Sequence, residues 1–335
     1  MASSAFSSPL TLKNESNTRI PKLVYGTAWK KDLTANLVYN AIKNGFRGID
    51  TAAQPRHYQE NLVGDGIRRA IKDGLVKRED LYVSFSICPF LPNKVLTKQQ
   101  IQTKFTGLSG QDPKNMPYNP SSSLSERVHA SLASSFKNLQ TSLAPEETYV
   151  DCLVLHSPLP TLAETHVAWG VFSSYVPHRI RSLGISNTTL SVLQSLYTNP
   201  TISIKPCVVQ NRFYPDTNWE VTLRQFCREK DIIFQSFWTF TGNPGLMGSE
   251  VVSGLAREIE KVGVKSEEAD VVALYALVIG LEGVTVLDGT TDAARMKSDL
   301  EGLEAVGKWA EGDGRETWEG YLAGFKKLVG ETVVS

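Results

Sequence analysis

Between Pro21 and about Leu287, short β-branched or apolar runs alternate with stretches of helical periodicity. That alternation constrains the fold more than any other feature of the chain. Strands are expected at Lys22–Tyr25, Arg47–Asp50, Ile101–Phe105, Cys152–Leu155, Ser182–Ile185, Val208–Gln210, Ile232–Ser236 and Val284–Leu287. Amphipathic stretches fall at Asn36–Asn44, Leu62–Lys72, Leu124–Gln140, Thr165–Tyr175, Leu190–Leu196, Glu220–Lys230 and Ala269–Ile279. A strand followed by a helix and another strand implies a right-handed crossover and a parallel sheet. Eight such units suggest closure, so the expected fold is α/β, a (β/α)8 TIM barrel, rather than an open doubly wound sheet.

The polar residues fall where such a barrel would use them. Asp50, Lys104, His156, Ser186 with Asn187, and Gln210 each stand at or just past the C-terminal end of an expected strand. In a closed barrel all those ends open on one face, where the active site lies. An open sheet could not bring residues from so many strands to one point. The long Gly/Pro/Asn/Ser loop Gly107–Ser123 follows the third strand and is long enough to shape a pocket.

Composition narrows the function. Lys plus Arg and Asp plus Glu both number 35, so the net charge is zero and gives no pull towards nucleic acid or an anionic membrane. A small-molecule substrate fits better. The four cysteines (Cys88, Cys152, Cys207, Cys227) form no CxxC pair and no zinc spacing, so no metal is expected, and scattered thiols suit a reducing, cytoplasmic compartment. No apolar run approaches the ~18 residues of a membrane span. Residues 1–18, Ser-rich and polar, read as a flexible leader, and 19–335 as a single barrel domain, monomeric or weakly associating.

Four residues carry the chemistry. Asp50 lies in GFRGIDTAAQPRHYQE together with Tyr58, Lys104 in IQTKFT, and His156 in LVLHSPL. GISN at 184–187, VVQN at 208–211 and GTTDAARMKSDL at 289–300 follow in order. From about Pro21 to Leu300 the chain resembles the aldo-keto reductase family, and a fungal-like branch of it with a long loop after strand three. The resemblance implies an NAD(P)H-dependent oxidoreductase that reduces an aldehyde or ketone, with NADP(H) preferred and NAD(H) the alternative. Its tetrad would be Asp50, Tyr58, Lys104 and His156. The coenzyme would contact Gly26, Thr27, Asp50, Ser186, Asn187, Gln210, Phe237 and Trp238 at the nicotinamide end. Gly289, Thr290, Thr291 and Arg295 would serve the phosphate end, and the substrate pocket would take in Trp29, His57 and Tyr118.

Elementary chemistry supports the tetrad. Hydride delivery to a carbonyl carbon leaves an oxygen that needs a proton. A phenol, with a free pKa of about 10, holds its proton at neutral pH and can donate it. A nearby ammonium (Lys104) would draw the phenol pKa down, Asp50 would fix that ammonium, and His156 would polarise the carbonyl. Each residue alone has a plainer reading. Asp50 could cap a turn, Tyr58 pack, Lys104 face solvent and His156 sit satisfied in a core.

Three departures from the family pattern are visible. Pro-Arg-His lengthens the Asp50-to-Tyr58 gap, so His57 competes for the tyrosine position, with Tyr118 as an outside candidate. Gly289 stands where the family commonly has a lysine before the late helix, whose amides would suit a phosphate. Residues 83–100 (VSFSICPFLPNKVLTKQQ) interrupt what otherwise reads LY-IQTKFT. They begin Val-Ser, contain Leu-Thr and end in Gln, which GTAAGT, CTAAC and CAG can encode, so the segment reads as a translated intron of the short fungal type, with a surface loop as the alternative. If Ile101–Phe105 takes the third barrel position, Lys104 stays placed; if Tyr82–Ile87 takes it, Lys104 is displaced. An insert that disabled catalysis would leave a nucleotide-binding regulatory member of the same fold.

Overall fold

A computed structural model describes residues 4–12, 18–77 and 100–331. In chain order the elements are β1 Leu10–Thr11, β2 Arg19–Ile20, β3 Leu23–Gly26, α1 Thr34–Lys43, β4 Gly48–Asp50, α2 Glu60–Lys72, β5 Gln100–Phe105, α3 Leu124–Asn138, β6 Cys152–Leu155 and α4 Leu162–Ser173. They continue as β7 Leu183–Ser186, α5 Leu190–Thr198, β8 Val208–Arg212, α6 Val221–Glu229, β9 Ile233–Phe237, α7 Pro244–Met247, α8 Glu250–Glu260, α9 Ser266–Ile279, β10 Val284–Asp288, α10 Ala293–Glu311 and α11 Arg315–Leu328. The strands β3 to β10 pair in parallel and β10 returns to β3, closing the barrel. Among the described residues no helix is long and apolar enough to cross a membrane.

Each expected strand is present, with ends moved by a residue or two. The third position is taken by β5, whose Ile101, Gln102 and Lys104 pair with Ile49, Asp50 and Val154. Of the two arrangements the interruption allowed, this is the one that keeps Lys104 at the barrel mouth. The interrupting segment itself, Gln100 apart, lies outside the described residues.

Strand alternation puts two groups of side chains into the barrel interior. Val24, Cys152, Val154, Val208 and Ile233 form one buried apolar cluster with Leu12 and Ile20. Asp50, Gln102, Lys104, Gln210 and Gln235 are a polar group, also buried. The outer faces of the strands meet the helices in a second, larger core. Two of those helices open on full capping boxes, Ser123 with Glu126 before α3 and Thr161 with Glu164 before α4.

The leader, read as loose, is seated where it is described. Leu10 and Thr11 pair antiparallel with Ile20 and Arg19, and Phe6 packs edge-on against Trp318 of α11 at 4.9 Å. Two-residue strands carry no periodicity, which is why the sequence does not announce them. The helices α7 and α8 are likewise an addition to the one-helix-per-strand rhythm.

Candidate active site

The ends of β4, β5 and β6 deliver the three side chains that neighbour Tyr58. Lys104 Nζ sits 2.6 Å from both carboxylate oxygens of Asp50 and donates to Thr51 O at 3.0 Å. Both side chains of the pair are 1% exposed. Tyr58, in the loop between β4 and α2, lies with its ring centroid 5.0 Å from that ammonium. His156 closes the group, its ring edge-on to Tyr58 at 5.9 Å between centroids. Tyr58 rather than His57 thus faces the ammonium; His57 stacks on Trp29 at 3.9 Å.

Electrostatics give the group its protonation states. Burial pushes the Tyr58 phenol above its ordinary range, and Lys104 pulls it back only in part. The ammonium does not bring the phenol below its free value, because burial outweighs it and Asp50 offsets part of its charge. Burial works against the charged form of Lys104, but its partners Asp50 and Tyr58 outweigh it and hold the ammonium above the usual lysine value. Burial first, then the charge of Lys104, drives His156 down to about 3, so its imidazole is neutral. Its Nδ1 is 2.7 Å from Thr106 Oγ1.

These residues open on one cavity of about 660 Å³, within the range of small-molecule sites. Gly26, Trp29, Asp50, His57, Tyr58 and His156 line it, with Ser186, Asn187, Gln210, Phe237 and Trp238. Gly289, Thr290, Thr291 and Arg295 complete the lining, and β10 brings Asp288 O beside Gly26. The cavity therefore takes in most of the residues singled out in the sequence. A cleft lined by amide side chains and by the cations Lys30 and Arg295 suits a nicotinamide dinucleotide, whose carboxamide and phosphates need those two kinds of group.

Three expectations are corrected. Thr27 does not line the cavity, because its hydroxyl and amide both bond Asp50 O, at 2.8 and 3.1 Å. It shapes the β3 turn instead. Tyr118 is buried outside the cavity with its hydroxyl given to Thr106 O at 2.7 Å, so it is neither the rival phenol nor pocket lining. Two of the amides that open α10, those of Ala294 and Arg295, are already used, donating to Asp292 Oδ1 at 2.7 and 3.4 Å.

Lys30, passed over in the sequence, reaches across from the loop after β3 and donates to Gly289 O, beside the very residue where the family lysine is missing. Asp288 and Asp299 lie together. Burial and the neighbouring Asp288 raise Asp299 above the usual carboxylate range. Arg212 also lines the cavity, with its guanidinium 4.5 Å from the Trp238 ring centroid.

A closed (β/α)8 barrel with one deep cleft at its C-terminal strand ends defines a class of proteins whose site is built from strand termini and loops. The Aldo/keto reductase family model matches residues 22–310. The chain is 30% identical over 217 residues to NAD(P)H-dependent D-xylose reductase I,II of Candida tropicalis, covering 61% of this chain and 59% of that protein. With NAD(P)H-dependent D-xylose reductase xyl1 of Hypocrea jecorina it shares 48% identity over 75 residues, 22% of each chain. The matches thus span less than two thirds of these relatives. Aldo-keto reductase family 1 member C4 of Homo sapiens aligns more fully, at 25% identity over 320 residues, 85% of this chain and 84% of that one. A solved aldo/keto reductase from Brucella melitensis superposes with a TM-score of 0.63 at 21% identity, over 90% of this chain and 99% of that one, a likeness of fold. The chain belongs to the aldo/keto reductase family.

Proposed function

We propose that this protein is a carbonyl reductase that takes NADP(H) in preference to NAD(H) and reduces an aldehyde or ketone to the alcohol. The observation that carries the reading is the Tyr58 phenol beside the buried Asp50–Lys104 pair, with neutral His156 across from it at the mouth of a dinucleotide-sized cleft. Similarity to NAD(P)H-dependent reductases supports it.

The bound coenzyme supplies hydride to the carbonyl carbon. Tyr58 donates its proton to the carbonyl oxygen, and the raised phenol pKa keeps that proton in place across the neutral range. Lys104, held by Asp50, is the nearest cation to the phenolate that remains, and it favours that charge only as the transfer proceeds. In the tautomer that accepts from the Thr106 hydroxyl at Nδ1, His156 would carry its proton on Nε2 to meet the substrate oxygen. Phe237 would support the nicotinamide ring and Ser186, Asn187 and Gln210 its carboxamide, while Lys30 and Arg295 would take the phosphates. Trp29, 66% exposed, with Trp238 and Phe240, would offer an aromatic rim to the substrate.

The test is NADPH oxidation against a panel of open-chain sugars, aromatic aldehydes and ketones, with Tyr58→Phe as control. Turnover that falls at least a hundredfold in Tyr58→Phe is expected from loss of a general acid. A variant that keeps parental turnover would refute the role of Tyr58, and NADPH binding without turnover of any carbonyl would refute the reductase reading.

A further inference from the structure

At the top of the barrel interior, four side chains from four strands form a closed hydrogen-bonded square. Gln102 Nε2 donates to Asp50 Oδ1 at 2.8 Å and to Gln235 Oε1 at 2.9 Å. Gln210 Nε2 donates to the same two oxygens, at 3.0 and 3.1 Å. None of the four residues is more than 3% exposed. Two nitrogens thus face two oxygens, and no glutamine of the three can turn its amide over without setting like against like. The orientation is fixed by the carboxylate of Asp50, which is fixed in turn by Lys104.

Packing does not account for the two outer members. Gln102 Oε1 and Gln235 Nε2 have no protein partner among the described residues. Apolar side chains of similar volume would fill the space without leaving two buried polar atoms unpaired. What Gln102 and Gln235 do achieve is to hold the amide of Gln210. Gln210 lines the cavity, and because its nitrogen is committed to the square, its oxygen is the end left over for a ligand.

We propose that Gln102 and Gln235 are positioning residues that lock Gln210 as a hydrogen-bond acceptor for the amide N–H of the coenzyme carboxamide. The same lock ties that contact to the Asp50–Lys104 pair beside Tyr58. The proposal rests on the reading of the cleft as a nicotinamide dinucleotide site, but not on carbonyl turnover.

The experiment compares two ligands by quenching of tryptophan fluorescence: NADPH, and adenosine 2′,5′-bisphosphate, which lacks the nicotinamide. Gln235→Leu removes the acceptor that orients Gln210. It is expected to weaken NADPH about fivefold to tenfold, the value of one hydrogen bond, and to leave the bisphosphate within about twofold. Gln102→Met should act in the same direction, and it carries the test if Gln235→Leu does not fold. Equal weakening of both ligands would mean a merely structural role and overturn the proposal, as would no change in either. A parent chain that binds NADPH but reduces no carbonyl refutes the reductase reading alone; one that binds no NADPH refutes both.

Discussion

Replacing Asp50 by Asn leaves a buried ammonium facing a neutral amide. In the parent, Lys104 Nζ is 2.6 Å from each Asp50 oxygen and both side chains are 1% exposed. At an effective dielectric constant of about 20 the attraction at that distance is about 6 kcal/mol, before desolvation is subtracted. Desolvation removes much of it, and breaking such a pair from one side costs about 3–5 kcal/mol, because the survivor stays buried without its counter-charge. Asp50→Asn should fall at the upper end of that range. Its Oδ1 can still accept from Gln102 and Gln210, but the new NH2 faces the NH3⁺ of Lys104. Lys104→Met should fall at the lower end, since the two glutamine donors still serve the orphaned carboxylate. In the double variant no buried charge is left over, so its cost should be smaller than the sum of the two by about 2–3 kcal/mol. Urea unfolding of the four proteins at neutral pH, without coenzyme, measures the cycle. A loss below about 1 kcal/mol in Asp50→Asn, or additivity within about 0.5 kcal/mol, would mean that the two side chains do not form a desolvated pair.

Three further outcomes follow from the same structure. His156 titrates near 3 in the folded protein, against about 6.5 when unfolded, so the unfolded state binds the extra proton first. Stability should therefore be fully present above pH ~6.5 and fall as pH drops towards 3, by about 2 kcal/mol at pH ~5; thermal unfolding of His156→Gln should show a correspondingly flatter slope, and an unchanged slope would contradict the neutral assignment. Arg295→Leu should weaken NADPH about tenfold, by equilibrium binding, and NADH by less than about twofold, since only the former carries a 2′-phosphate for that guanidinium; equal losses would remove Arg295 from coenzyme selection. In Gly64→Ala the new Cβ would stand 1.9 Å from Asn138 O, so α2 and α3 must separate, at a cost of about 1–3 kcal/mol in unfolding free energy by denaturant titration; a neutral outcome would mean that α2 and α3 do not pack as closely as described.

The barrel is legible in the chain because its information is local. Apolar runs such as CLVL at Cys152–Leu155 and capping boxes such as Ser123–Glu126 carry their own evidence. What escapes is whatever depends on two distant segments meeting. The β1–β2 pair is too short for a period, and Lys30 reads as an ordinary cation at a helix entrance until Gly289 is found beside it. The amide square is the strongest case. Gln102, between Ile101 and Thr103, alternates like a solvent-facing strand residue, and Gln235 looks like a polar break in an apolar run. Only the register that sets Asp50 opposite Gln102, and Gln210 opposite Gln235, turns three amides and a carboxylate into one unit.

The direction of the Tyr58 shift was hidden for a related reason. A sequence shows that a lysine is available to the phenol; it does not show how much of the lysine's charge is spent elsewhere. With both oxygens of Asp50 on the ammonium, the field reaching Tyr58 is that of a pair, and burial then decides the sign. A phenol held protonated in the resting protein keeps its proton until a stronger acceptor meets it, which the proposed role of Tyr58 as general acid would require. Any help from Lys104 lowers the barrier only in so far as it is greater for the phenolate than for the phenol.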